Sequence, residues 1–149
     1  MTMLDAVTRG TASRGAAAVE LAVLVPVVGL LLAGLAGGAR IGWARAQVEE
    51  AAAAGARAAS IPASAGSAQA AGRAAVESDL RTVGVHCRSI GVAVDTSAYG
   101  TEPGTRGEVV VTVSCDLDLS DAVLAGLPGS VGIAATASEP VDMFRVREP

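Results

Sequence analysis

Residues 21–39 read LAVLVPVVGLLLAGLAGGA, an unbroken apolar run without one ionisable side chain. As a helix rising about 1.5 Å per residue, these 19 residues reach about 28 Å, close to the hydrocarbon thickness of a bilayer. Lipid offers backbone amides no hydrogen-bonding partner, so a spanning segment of this kind must be helical. Pro26 and the glycines at 29, 34, 37 and 38 would weaken a soluble helix, but membrane helices tolerate them. Gly34 and Gly38 form a GxxxG spacing that permits close helix–helix approach, although a segment so rich in Gly and Ala generates that spacing readily by chance.

The flanks give an orientation. Arg9 and Arg14 precede the run with only Asp5 as a nearby acid, so the positive-inside bias places the N-terminus in the cytoplasm and the rest of the chain outside. Arg40 and Arg45 beyond the run reduce that asymmetry, and Trp43 stands where an interfacial aromatic would lie. The expectation is a single-pass protein of the cytoplasmic membrane, in contact with membrane lipid, with an extracytoplasmic C-terminal domain.

Composition narrows what that domain can be. Aromatic residues make up 2% of the 149-residue chain (Trp43, Tyr99 and Phe144), so its core must be built from Ala, Val, Leu and Ile. So small a core gains from a covalent staple or from partner subunits. The net charge of -4 and the absence of a basic run after the apolar segment argue against nucleic acid as a partner.

Glu20 heads the apolar run, after Ala16, Ala17, Ala18 and Val19. A lone carboxylate inside a membrane helix costs about 2.5–3.5 kcal/mol on insertion scales, which asks for a partner charge; a carboxylate solvated among headgroups needs none. The residues around it discriminate. Arg14-Gly15-Ala16-Ala17-Ala18-Val19-Glu20 resembles the processing site of type IV pilin-like proteins, in which a short basic leader ends in Gly and Glu is the fifth residue of the mature chain. Together with the helix that follows and its tail ARAQVEEAAAAGARAAS, the segment from about residue 14 to residue 60 resembles the TadE-like family of minor pseudopilins from tight-adherence (Flp) pilus systems. Leu21 stands where an aromatic often follows the Glu.

That resemblance implies particular roles. Residues 1–15 would be a cytoplasmic leader, cut after Gly15 by a prepilin peptidase to free the amine of Ala16. Glu20 would attract that amine on a neighbouring pilin or pseudopilin subunit, two opposite charges relieving each other's desolvation and fixing register. The competing reading is a secretory signal peptide with Ala44-Arg45-Ala46 as its cleavage site, disfavoured by an apolar run longer than usual and by Arg40 and Arg45 crowding the site. A third is an unprocessed, membrane-tethered envelope protein.

Beyond a membrane helix over 16–41, a helical region is expected over 42–83 and a small antiparallel β domain over 84–149. Ala44, Val48, Ala51, Ala52 and Gly55 fall on one arc, with Arg45, Gln47, Glu49, Glu50 and Arg57 elsewhere; this arc suits either the protein's own sheet or a neighbouring subunit. Pro62 and the Ser/Gly stretch 64–67 break the helix, and a second is expected over 68–81 with Ala71, Ala74, Ala75 and Val76 inward, ended by Gly84. Residues 108–119 alternate as a strand, and 83–94 alternate with a change of parity that predicts a bulge near Arg88-Ser89. A turn-rich loop over 95–107 joins them. A helical turn over 120–126, a third strand over 131–137 and a fourth within 141–146 complete an α+β, pilin-like plan.

Cys87 and Cys115 fall on apolar faces of the two paired strands, and outside the cytoplasmic membrane they can form a disulfide or remain two buried thiols. Catalysis and cofactors have little support. His86 is the only histidine and points away from Cys87 on a strand, and one His with two Cys falls short of a zinc set. Asp116, Asp118, Ser120 and Asp121 lack the glycine and the closing acid of a calcium loop, with Asp121 and Leu127 at those places. The expected role is assembly, with no enzymatic turnover and no cofactor.

Overall fold

The computed structural model describes residues 3–102, 104–118, 129–142 and 144, with side chains from residue 17 onward. The elements follow the order α1 (Met3–Ser60), α2 (Ala65–Thr82), β1 (Cys87–Asp95), a 3-10 turn (Ser97–Gly100), β2 (Gly107–Asp118) and β3 (Ser130–Val141). The chain divides into two compact units, Met1–Ala39 and Arg40–Pro149. This is an α+β arrangement: a long apolar N-terminal helix, then a small antiparallel sheet.

The first unit is the apolar stretch of α1. Pro26 lies inside the helix. It removes one backbone donor, a loss tolerable where large side chains face outward all round. Leu30 and Leu35 are about 70% exposed, and Val19, Leu21, Val23 and Val25 are comparably open. α1 supplies the one helix among the described residues long and apolar enough to cross a membrane.

The second unit has an alanine-rich core. Ala44, Val48, Ala51, Ala52, Ala56 and Ala59 of α1 are buried together with Val109, Val111, Val113, Cys115 and Leu117 of β2. The arc of small residues on α1 therefore packs against the protein's own sheet. A Cβ placed on Gly55 would lie 2.6 Å from Val76 Cγ2 of α2 and 3.3 Å from Val111 Cγ1 of β2. Gly72 of α2 faces the same junction, 3.3 Å from the Gly55 carbonyl and 3.1 Å from Ala59 Cβ. Two glycines thus bring α1 and α2 to backbone contact distance.

α2 begins three residues earlier than its apolar spacing suggests. Ser64 is its N-cap, its side chain accepting from the Ser67 amide, while the two hydroxyls lie 2.7 Å apart. The inward face also differs from expectation: Ala68, Gly72, Val76 and Leu80 are buried, whereas Ala71 and Ala75 are half-buried and Ala74 is exposed. Runs of alanine leave the helix phase undetermined, and Leu80 fixes it. The helix ends at Gly84 (φ +71°), with the Val85 amide donating to Leu80 (3.2 Å) and the Gly84 amide to Arg81 (3.3 Å). That pattern is a Schellman motif, completed by the buried pair Leu80 and Val85. Residues 83–86 consequently belong to a helix stop, and β1 starts only at Cys87.

The sheet order is β1-β2-β3, antiparallel throughout. Register shifts between Cys87 and Ile90, so Arg88 and Ser89 form the bulge that the change of parity predicts. β2 alternates along its length, odd-numbered residues from Val109 to Leu117 buried and even-numbered ones outward. β3 runs to Val141, beyond the residues expected, with Pro140 near its end, where a missing donor costs least on an edge strand. No fourth strand occurs among the described residues. The helical turn expected over 120–126 and most of the expected fourth strand lie outside them.

The 3-10 turn is the largest departure from expectation. Tyr99, placed in a turn-rich loop by its neighbours, is 2% exposed and fills the core. Its hydroxyl donates to the Ala59 carbonyl at 2.7 Å and lies 3.0 Å from the Pro62 carbonyl. Gly107 makes room for this turn, since a Cβ there would meet Ala98 Cβ at 2.6 Å.

Candidate functional site

The residues singled out in the anchor all fall on α1. Gly15 and Ala16 are within its helical backbone, and their side chains are outside the described set. Glu20 is exposed, flanked by the exposed Val19 and Leu21. At about 100° per residue, Glu20 and Gly38 are separated by five whole helical turns, and Gly34 lies within about 40° of them. The acid and both small residues therefore share one face of the helix. A Cβ at Gly34 or Gly38 would meet nothing within 4 Å, so that face is open to close approach. Chemically, this face offers one carboxylate at its head and a shallow strip about 27 Å long, suited to another apolar helix carrying a positive group near its end.

In the second unit the two cysteines are joined. The Cys87–Cys115 disulfide links β1 to β2 across 28 positions of sequence, beside the bulge. Cys115 is buried, and neither sulfur is a free thiol. His86 is exposed, and its carbonyl accepts from the Asp118 amide at 3.3 Å. Asp116 accepts from the Ser89 hydroxyl, and Asp118 lies 3.4 Å from the Arg88 guanidinium. These two acids are thus engaged by the bulge. Ser120, Asp121 and Leu127 lie outside the described residues. Among the described residues no cluster of three or more His, Cys, Asp or Glu is arranged to hold a metal ion.

One titrating group is displaced. Asp95 accepts from the Ser97 amide at 2.9 Å, and hydrogen bonds from Ser97 hold its carboxyl below the ordinary value. It ends β1 and starts the turn that carries Tyr99, a structural task.

Sequence reasoning missed Tyr99 and the Ser64 cap as organising residues. A serine three positions before another serine, ahead of an Ala-rich run, was the available signal for the cap. No curated protein and no solved structure matches this chain. Residues 15–57, which contain Glu20, Gly34 and Gly38 and continue into the packed part of α1, match the family model of TadE-like proteins, and that stretch of the chain is TadE-like.

Proposed function

We propose that this protein is a membrane-anchored, minor pseudopilin-like component of a tight-adherence pilus or a related secretion apparatus, acting by subunit assembly. The observation that carries the reading is the TadE-like match over residues 15–57, with Glu20 heading an apolar helix. A prepilin peptidase cuts between Gly15 and Ala16, and the new amine is then five residues from the carboxylate in sequence. Within one helix a residue at i and one at i+4 already neighbour each other, so Glu20 can hold its own Ala16 amine or that of an adjacent subunit. Either pairing offsets the cost of placing a carboxylate at the membrane boundary. The open strip at Gly34 and Gly38 lets a second helix lie close on the same face.

Release by signal peptidase fits less well. A cut after Ala46 would sever α1 and remove Ala44, which is 1% exposed in the core of the second unit. Loss of a buried residue and the start of a core helix is an improbable maturation step.

The test is the mass of the mature N-terminus in cells with and without an active prepilin peptidase. A chain beginning at Ala16 only when the peptidase is present supports the reading; a chain beginning near Gln47, or an intact leader in both strains, overturns it. Glu20→Ala then probes the pairing role: cleavage and insertion persist while incorporation into the assembly is lost. Unchanged incorporation removes that role for the carboxylate.

A further inference from the structure

The two edges of the sheet are built differently. β1 is bulged at Arg88-Ser89, and the Arg73 guanidinium of α2 donates to its Val92 carbonyl at 3.2 Å. A bulge and a reaching cation are two of the means by which sheets block a further strand. β3 carries neither. Its register with β2 is continuous from Gly107↔Val141 to Asp118↔Ser130, with no shift. It contains no Lys or Arg, and its guarding residues, Glu139 and Pro140, sit at the far end. Among the described residues no strand pairs with its outer side. The remaining positions are Gly, Ala, Ser, Thr, Val and Ile, so little bulk shields the backbone.

The apolar face of β3 is also unfinished. Ile133 and Val141 are buried, but Val131, Ala135 and Ala137 stay half-buried, against full burial of the corresponding residues in β2. One more strand alongside would continue the sheet and cover them.

We propose that the outer edge of β3 pairs, antiparallel and about a two-fold axis, with β3 of a second copy of this chain. The strand suits itself. For any axis placed between residues 134 and 138, Glu139 faces a residue between 129 and 137, and none of these is ionisable. Like charges are never opposed, and the contact is isologous and closed, so it makes dimers rather than an open ribbon. The proposal concerns the second unit alone and stands or falls apart from the role of the anchor.

Single cysteines introduced one at a time at positions 132 to 138, in the full-length chain with Cys87–Cys115 intact, test it by oxidative cross-linking in membranes. Ala93→Cys on β1 is the control. At the two-fold axis the paired Cα atoms are about 4.5–5.5 Å apart, and each two-residue step away separates a residue from its own copy by about a further 13 Å. The expected result is one maximum of homodimer along β3, falling to the Ala93→Cys level within one such step on either side. Three results overturn the proposal: no position above the control, a flat profile, or cross-links to a different protein or to the chain's own C-terminal residues.

Discussion

The Tyr99 hydroxyl donates to the carbonyl of Ala59, 40 positions earlier, at 2.7 Å, and lies 3.0 Å from that of Pro62. Ala59 is in the last turn of α1, where backbone carbonyls have no intrahelical donor, and Pro62 is in the bend leading to α2. One buried phenol thus ends a helix and fixes the exit direction of the chain. Tyr99→Phe keeps the ring and removes the donor. Stability should fall by about 1–3 kcal/mol, the cost of leaving a buried acceptor unsatisfied, read as a lower urea midpoint of the full chain in detergent. An unchanged midpoint would mean that water reaches those carbonyls.

The meeting of Gly55 with Val76 and Val111 predicts a sign that helix propensity would get wrong. Ala is favoured over Gly in a helix by about 1 kcal/mol, yet Gly55→Ala should destabilise by about 1–3 kcal/mol because its methyl group lands 2.6 Å from Val76 Cγ2. Gly66→Ala, on the open side of α2 with nothing within 4 Å, should instead stabilise slightly. Thermal midpoints of the pair decide the point; matching shifts would refute the close approach.

The disulfide closes a 28-residue separation, which on the chain-entropy model contributes about 3–4 kcal/mol. The Cys87→Ser/Cys115→Ser double variant should lose about that much. With a core so poor in aromatics, this loss is expected to bring local opening of the β1–β2 hairpin, seen as faster amide exchange at residues 90–94 than in β3.

Asp95 contributes to the pH dependence of stability. Its folded-state pKa is lowered from 3.8 by hydrogen bonds from Ser97, so its contribution is present above the unfolded value and is lost as pH falls through the folded one. Asp95→Asn should flatten the stability profile below about pH 4 and change it little at neutrality. A profile identical to that of the parent chain would show that the turn does not depend on the charge.

Where one periodicity dominates, the chain was legible. The apolar run of 21–39, the arc Ala44–Val48–Ala51–Ala52–Gly55 and the alternation of β2 each carry their own geometry, as does the parity change that marks the bulge. Legibility failed where side chains were too alike or too few to carry a phase. In α2, alanines on every side left the inward face open until Leu80 and the Gly72–Gly55 contact set it. Val83 and Val85 looked like the start of a strand because a helix stop also spaces its apolar residues two apart.

The primary sequence by itself determined a membrane-length apolar helix with an acid at its head, a small alternating β domain after it, and a TadE-like signature spanning the first of these. Those properties are local: they depend on composition and spacing within about twenty residues. Only the tertiary structure decided that the small-residue arc of α1 covers its own sheet, that Tyr99 locks the α1–α2 turn, and that β3 is left as the unguarded edge. Each depends on segments far apart in the chain meeting at contact distance, and packing between such segments leaves no period in the sequence of either one.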